Sequence, residues 1–291
     1  GLLLADEIFE AKAELELKTQ IAALLDRARA ADEAEKNEPE LDIPAEIARR
    51  QDRLEQIAAA KARLEQRQRE ADLQRGRSQD DDRKPPGKDG KPKRGKPYKR
   101  AFGVPEDKAQ ESFTDPDSRV MKRAGGGFDY SYNAQTAVDE AAHIVVAAEL
   151  TNVAADSGEL PVMLDAVRAS LDSDAAQVLA DAGYRSEAVF EQLRDHPSEL
   201  VVALGREGKE QVEIDGRKYP CTAAMALKLQ TDQAKAAYRR RKWIAEPPNG
   251  WIKNVLGFRQ FSMRGLHRVR AEFKLVCLAL NLRRMCAMQG A

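Results

Sequence analysis

The sequence predicts an α/β fold preceded by a helical hairpin and a basic linker, and three observations lead to this prediction. Apolar residues recur at helical spacing over residues 1–77, which are rich in Ala, Glu and Lys. Residues 78–116 are crowded with Pro, Gly, Lys and Asp and have almost no apolar periodicity. Over residues 117–291, short apolar strands alternate with amphipathic helices, which implies parallel strands joined by helical crossovers. We therefore predict a hairpin, a disordered basic linker and one α/β domain with these boundaries.

The predicted hairpin consists of two helices joined by a turn that contains Pro39 and Pro44. The first helix has apolar residues at helical spacing at Leu17, Ile21, Leu24 and Leu25. In the second helix, the apolar residues Ile47, Leu54, Ile57 and Leu64 are separated by seven, three and seven positions, which is the spacing of a coiled-coil seam. Arg50 and Lys61 occupy the two remaining seam positions. A short turn between such helices favours an antiparallel, coiled-coil-like pair.

The net charge of zero, from 48 basic and 48 acidic residues, is a sum of unlike segments. Residues 83–100 carry nine Lys or Arg against one Asp, and residues 236–291 carry twelve against two Glu. Neutrality therefore does not exclude an anionic partner, and only these two basic segments are candidates to bind one. For the linker, two interpretations stay open: a chain that tracks a phosphate backbone, or a solvated spacer.

The α/β segment begins with a predicted β-hairpin, residues 130–139 and 143–151, whose connection is Glu140-Ala141-Ala142. The elements that follow are a helix over 160–171, a strand over 177–182, a helix over 186–193, a strand over 199–204, an irregular stretch over 205–230 and a mostly helical end.

Several function classes are excluded by composition. No run of about 18 apolar residues predicts a membrane span, and the chain does not open on a secretory segment, which predicts a soluble, cytoplasmic protein without a membrane partner. Three widely spaced cysteines fit neither a disulfide framework nor a CxxC metal site. No histidine has a Cys or His neighbour at ligand spacing, which argues against zinc.

Two acids are candidates for chemistry. Asp181 ends a short apolar strand, where an open α/β sheet binds ligands, although an Asp there is also a common turn former. Glu246 is an isolated acid in a strongly basic stretch. It is either a metal-binding carboxylate or an ion-pair partner for the flanking arginines.

Several spaced blocks of the sequence form a recognisable set. Asp181 stands in LADAGYRS, and Tyr238, Arg241, Glu246 and Lys253 follow in a Y-R-E-K arrangement. Three further blocks are SYNAQTAVDEAAHIVVAAELTN, IAEPPNGWIKNVLGFRQFSMRGL and EFKLVCLALNLRRM. Together they resemble the catalytic core of the bacterial insertion-sequence DDE transposases.

The resemblance implies an RNase H-like mixed sheet with flanking helices, in which the first catalytic Asp lies on a strand before the helical hairpin. No residue of this sequence matches the motif that carries that Asp. Asp129 and Asp139 are poor substitutes, because Asp139 falls at a hairpin turn. We therefore expect an N-terminally truncated chain that lacks its first strand and is inactive in DNA cleavage as written.

The chemistry implied by the resemblance is cleavage and transfer of DNA strands, assisted by two Mg²⁺ or Mn²⁺ ions. Asp181 and Glu246 would be two of the three metal-holding acids. The implied partners are the double-stranded DNA of transposon ends and target, bound by a homo-oligomer in the bacterial nucleoid.

The resemblance also implies DNA contacts by Tyr238, Arg241 and Lys253. Four residues separate Arg241 from Glu246 where the common motif has three, so Lys242 is the alternative to Arg241. Trp251 either stacks on a base or faces the core. Two consecutive prolines, Pro247 and Pro248, are expected to distort the start of a helix.

Two rival functions remain at this stage. One is a DNA-binding protein without catalysis, or a transposase remnant, in which the basic segments grip phosphates and the acids are structural. The other is an interaction protein built on the hairpin of residues 1–77.

Overall fold

The computed structural model describes residues 18–27, 43–79, 98–123, 126–205 and 214–289. The chain divides into two compact units between Pro116 and Asp117.

The first unit is built on one long helix, α1, which runs without interruption over Ile43–Gln74. Its buried stripe contains Ile57, Ala60 and Leu64, whereas Lys61 is exposed. The buried position is therefore Ala60 and not Lys61, the residue predicted for the seam. A small apolar side chain is buried at little cost, whereas the ammonium group of a lysine remains in water. Residues 18–27 are also helical. Pro44, assigned to the turn of the predicted hairpin, lies instead in the first turn of α1, and Pro39 lies outside the described residues.

The segment that follows α1 makes specific contacts with it. The buried carboxylate of Glu111 accepts hydrogen bonds from Arg67 and, at 2.9 Å, from Nε of Arg63. Oδ2 of Asp72 accepts a bond from the backbone N–H of Gly103 at 3.0 Å. Residues 98–116 therefore differ from the flexible linker expected for 78–116, because charged groups spaced four residues apart on α1 give this segment fixed partners. Residues 80–97 lie outside the described part of the chain.

Replacing Glu111 by glutamine should destabilise the first unit by about 1–3 kcal/mol, because two arginines would lose a buried charged acceptor. The Glu111 side chain is 1% exposed. Thermal unfolding followed by circular dichroism measures the change. The matched control is Glu106→Gln, since Glu106 also pairs with an arginine, Arg100, but its side chain is 63% exposed. Equal effects of the two substitutions would contradict the buried ion-pair role.

In its described residues, the second unit forms three two-stranded sheets. Strands β1 (Arg119–Lys122) and β2 (Phe128–Ser131) are antiparallel, as are β3 (Asn133–Val138) and β4 (Val145–Thr151), whereas β5 (Gln177–Ala180) and β6 (Glu199–Val202) are parallel. The β3–β4 hairpin and the parallel β5–β6 pair confirm the α/β prediction. Two features differ from it: four strands rather than two precede the first helix, and no described ladder joins the pairs into one mixed sheet.

Five α-helices accompany these strands in the described part of the second unit. They are α2 (Glu159–Leu171), α3 (Glu187–Gln192), α4 (Pro220–Gln230), α5 (Asp232–Asn254) and α6 (Leu266–Gln289). α5 begins where Oγ1 of Thr231 accepts a bond from the backbone N–H of Ala234 at 3.2 Å. It contains Pro247 and Pro248 in its interior, so the predicted distortion at a helix start is wrong. None of the described helices combines the length and apolar character needed to cross a membrane.

Two apolar clusters pack the helices of the second unit against its strands, and the second of them includes α5. One lies between β5, β6 and helices α2, α3 and α4, with buried Leu160, Phe190 and Val202. The other joins β4, α5 and α6 through Leu150, Ile252, Val269, Phe273 and Leu280. The side chain of Asn281 on α6 donates to the carbonyl of Val145 at 2.8 Å and accepts from its N–H at 2.9 Å. These two hydrogen bonds fix α6 along β4. The apolar face of α6 packs against α5.

Candidate functional site

A cavity of about 630 Å³ lies between β3 and β5. Consecutive residues of both strands line it, Asn133–Val138 and Gln177–Ala180. Because neighbouring side chains of a strand point to opposite faces, a lining of consecutive residues indicates that the strand edges face the cavity. Helix α2 contributes Leu160 and Met163 to the wall, and α5 contributes Arg241, Ala245 and Asn249.

Asp181 lies at the mouth of this cavity, directly after β5. Its Oδ1 accepts a bond from the backbone N–H of Gly183 at 2.8 Å, which caps the 3-10 turn Ala182–Tyr184. Its Oδ2 is 4.0 Å from a guanidinium nitrogen of Arg241. Asp181 therefore has the turn-forming role that the sequence left open, and it also faces a cation from α5.

A second carboxylate, Asp156, meets the same turn and was missed by the sequence analysis. A Cβ built on Gly183 would lie 2.7 Å from Oδ2 of Asp156 and 3.0 Å from Oδ1 of Asp181, so a side chain at this position would require the Asp156 carboxylate to move. Oδ1 of Asp156 accepts bonds from the amides of Asn133, at 2.6 Å, and Gln135, at 2.7 Å. The signal available in the sequence was the two-residue spacing of these amides, which places them on one face of β3.

Tyr184 completes this polar network by donating its hydroxyl hydrogen to Oε1 of Gln135. Burial raises the pKa of Tyr184 above its ordinary value, and the nearby charges of Asp156, Asp181 and Glu159 raise it further. The phenol therefore stays protonated at neutral pH and acts as a hydrogen-bond donor. Burial likewise raises the pKa of Glu159, and the charge of Asp156 adds to the effect.

Helix α5 presents different candidate residues on different faces. Arg241, Ala245 and Asn249 are four residues apart and line the cavity. The guanidinium of Arg241 also lies 5.6 Å from the ring centroid of Tyr238, one turn earlier. Arg241 rather than Lys242 thus contacts Asp181, because Lys242 is rotated about 100° around the helix and is exposed.

Glu246 and Lys253 lie on the exposed side of α5 together with Lys242. Glu246 is not among the residues that line the cavity. Within the described residues Glu246 forms no ion pair, whereas Arg240 pairs with Glu140 at 2.5 Å and Arg241 faces Asp181. The ion pair between Glu246 and its flanking arginines, left open by the sequence, is therefore absent from the described part of the chain.

The two tryptophans have unlike surroundings. The Trp251 ring packs against the apolar cluster of β4, α5 and α6, and the guanidinium of Arg284 lies 5.3 Å from its centroid. Trp243 is 57% exposed. Of the two readings of Trp251, this geometry favours the core.

The two acids considered as substitutes for a first catalytic Asp both have local partners. Asp139 accepts a bond from the backbone N–H of Ala142 at 2.7 Å, within the β3–β4 turn, although it also borders the cavity. Asp129 pairs with Arg123 and accepts from the N–H of Tyr130. Their carboxylates thus serve the turns that surround them.

The described residues do not fit the expected pair of divalent ions. Among them, no group of three or more His, Cys, Asp or Glu is arranged to hold a metal ion. Asp156 and Asp181 meet at Gly183, but Arg241 faces Asp181, and Glu246 lies outside the cavity wall. A further acid and a shift of Glu246 would be needed before this donor set could hold two ions.

Comparison with known proteins gives one match. The model of the transposase DDE domain family matches residues 102–282, more than half of the chain, including the cavity, Asp181 and α5. No curated protein and no solved structure matches the chain.

Proposed function

Because the chain belongs to the transposase DDE domain family, we propose that residues 117–291 form the RNase H-like catalytic body of an insertion-sequence transposase. The observation that carries the proposal is Asp181, which follows β5 at the mouth of the cavity and faces Arg241 from α5. In open α/β sheets, ligands bind at the carboxyl ends of strands. An acid and an arginine at this position suit a site that handles a phosphate backbone.

We further propose that one more strand, the first strand of the RNase H-like fold, fills the cavity between β3 and β5 in the active protein. Two strand edges that face one cavity leave backbone N–H and C=O groups without ladder partners, an arrangement that favours the insertion of a strand. Such a strand would join β3–β4 and β5–β6 into one mixed sheet. It would also bring the family's first acid, which no residue of this sequence matches, close to Asp181.

Transposases of this family generally use divalent metal ions. Since the described residues do not fit such ions, we propose that cleavage requires the additional strand and that the chain without it is inactive. Asp181 and Glu246 would then be two of the metal-holding acids. A second candidate function is that of a transposase remnant that binds DNA without cleaving it. The position of Glu246 outside the cavity favours this candidate.

Double-stranded DNA is the partner proposed for the exposed face of α5. Lys242 and Lys253 lie on this face, in a stretch, residues 236–291, that carries twelve basic residues against two acids. Such a surface neutralises phosphates without reading bases. The protein would act as a homo-oligomer on transposon ends and target, in the bacterial nucleoid.

Replacing both Lys242 and Lys253 by glutamine should weaken binding to a DNA duplex of any sequence. If each lysine neutralises one phosphate, the slope of log K against log salt should become less steep by roughly 2. Fluorescence anisotropy over a salt series measures the slope. The control is Lys122→Gln, since Lys122 is exposed on β1. A slope that changes as much in the control, or not at all in the double variant, would contradict the assignment.

A further inference from the structure

The interior of α5 contains a break in its main-chain hydrogen bonding. Proline has no N–H, so Pro247 cannot donate to the carbonyl of Trp243, four residues earlier. The helix nevertheless continues over Asp232–Asn254. The Trp243 carbonyl lies in the turn that precedes the prolines and includes Glu246, and it requires a donor from another part of the fold.

His143, in the turn between β3 and β4, supplies a donor at this position. Its Nε2 lies 3.1 Å from the Trp243 carbonyl oxygen. A carbonyl oxygen only accepts, so Nε2 must carry the hydrogen. Nδ1 of His143 is buried and has no hydrogen-bond partner among the described residues, which leaves the Trp243 carbonyl as the polar contact of the ring.

The backbone and the neighbouring rings fix the direction of the imidazole. His143 has a φ of 56°, in the left-handed region that residues with a Cβ rarely adopt unless the surrounding structure holds them there. Its ring centroid lies 4.5 Å from that of Trp243 and 6.0 Å from that of Trp251, both edge-on. The turn is also tied to its surroundings by bonds from Arg240 to Glu140 and from Arg284 to the carbonyl of Ala142.

We propose that His143 is a positioning residue that replaces the hydrogen bond removed by Pro247 and so fixes the turn of α5 that carries Glu246. The importance of this turn for catalysis rests on the proposed function, whereas the hydrogen bond does not. The proposal explains why an unfavourable backbone conformation is kept at His143 and how α5 continues past a proline.

A double-mutant cycle between His143 and Pro247 tests the proposal. His143→Phe keeps an aromatic ring but removes the donor, whereas Pro247→Ala returns a main-chain N–H to the Trp243 carbonyl. In the Pro247 background, His143→Phe should speed amide hydrogen exchange in residues 243–250 by about fivefold or more. In the Pro247→Ala background, the same substitution should have a much smaller effect. Equal acceleration in both backgrounds would show a packing role alone and would overturn the proposal.

The unaltered protein offers a second readout that does not depend on how the variants fold. The nitrogen-15 spectrum of the imidazoles should show His143 as the tautomer with hydrogen on Nε2 and a bare Nδ1. The His143 signal is assigned against those of His196 and His267. A hydrogen on Nδ1 and none on Nε2 would overturn the proposal. Neither readout requires DNA cleavage, so a negative result here is distinguishable from failure of the transposase function.

Discussion

Replacing Leu280 by alanine should lower the free energy of unfolding of the second unit by about 2–5 kcal/mol. Leu280 is 3% exposed and lies in the apolar cluster that joins β4, α5 and α6. Deletion of its buried methyl groups would leave a cavity in this cluster next to Cys277, one turn earlier on α6, because such a core collapses only in part. Urea denaturation followed by circular dichroism measures the loss.

The same helix provides the control. Leu278, two residues earlier on α6, is 52% exposed. Its replacement by alanine makes the same chemical change but removes little buried area, so the expected effect is within about 0.5 kcal/mol. A Leu278→Ala variant as unstable as Leu280→Ala would mean that this face of α6 is covered in solution, and the assignment of the core would have to be revised.

The sequence predicts elements best where one pattern dominates. The β3–β4 hairpin was predicted because alternating residues flank a short polar turn. Strand β1 was missed, and the last two residues of β2 were merged with β3 into the strand predicted over 130–139. The two strands have only four residues each and surround a Gly-rich turn, a composition that also suits a linker. The continuation of α5 through Pro247 was missed for a different reason. It coincides with a donor, His143, that is 100 residues away from Trp243 in the chain.

Prediction of the site was limited in the same way. Local pattern identified Asp181 at the end of a strand, and the resemblance pointed to α5. Neither could decide whether Arg241 or Lys242 contacts Asp181, because the answer depends on which face of α5 is directed toward β5. Asp156 had no local signal as a site residue, since its proximity to Asp181 arises from the meeting of two turns at Gly183. Such side chains are brought together by tertiary packing rather than by any period in the sequence.

Asp181→Asn should abolish DNA cleavage in a protein that carries the proposed additional strand, with a loss of about 10³-fold or more, as for one member of a set of groups that act together. The strand is supplied as an added N-terminal segment that carries the family's first acid. Asparagine keeps an oxygen that can accept from the N–H of Gly183, so the turn should survive while the negative charge is lost. Cleavage of labelled transposon-end duplexes in Mg²⁺ or Mn²⁺ measures the effect, and amide exchange in β3 and β5 reports whether the strand is seated.

Asp139→Asn is the matched control for this change. Asp139 also lines the cavity and also accepts a bond from a backbone N–H, that of Ala142, so the substitution makes the same chemical change in the wall of the same cavity. It should leave cleavage nearly unaltered, because the Asp139 carboxylate serves the β3–β4 turn. Glu246→Gln should reduce cleavage as severely as Asp181→Asn, even though Glu246 lies outside the cavity wall of the described chain. Full activity after Glu246→Gln would remove Glu246 from the catalytic set, and full activity after Asp181→Asn would remove Asp181 from it. DNA binding without any cleavage by the unaltered chain would favour the DNA-binding remnant over the transposase.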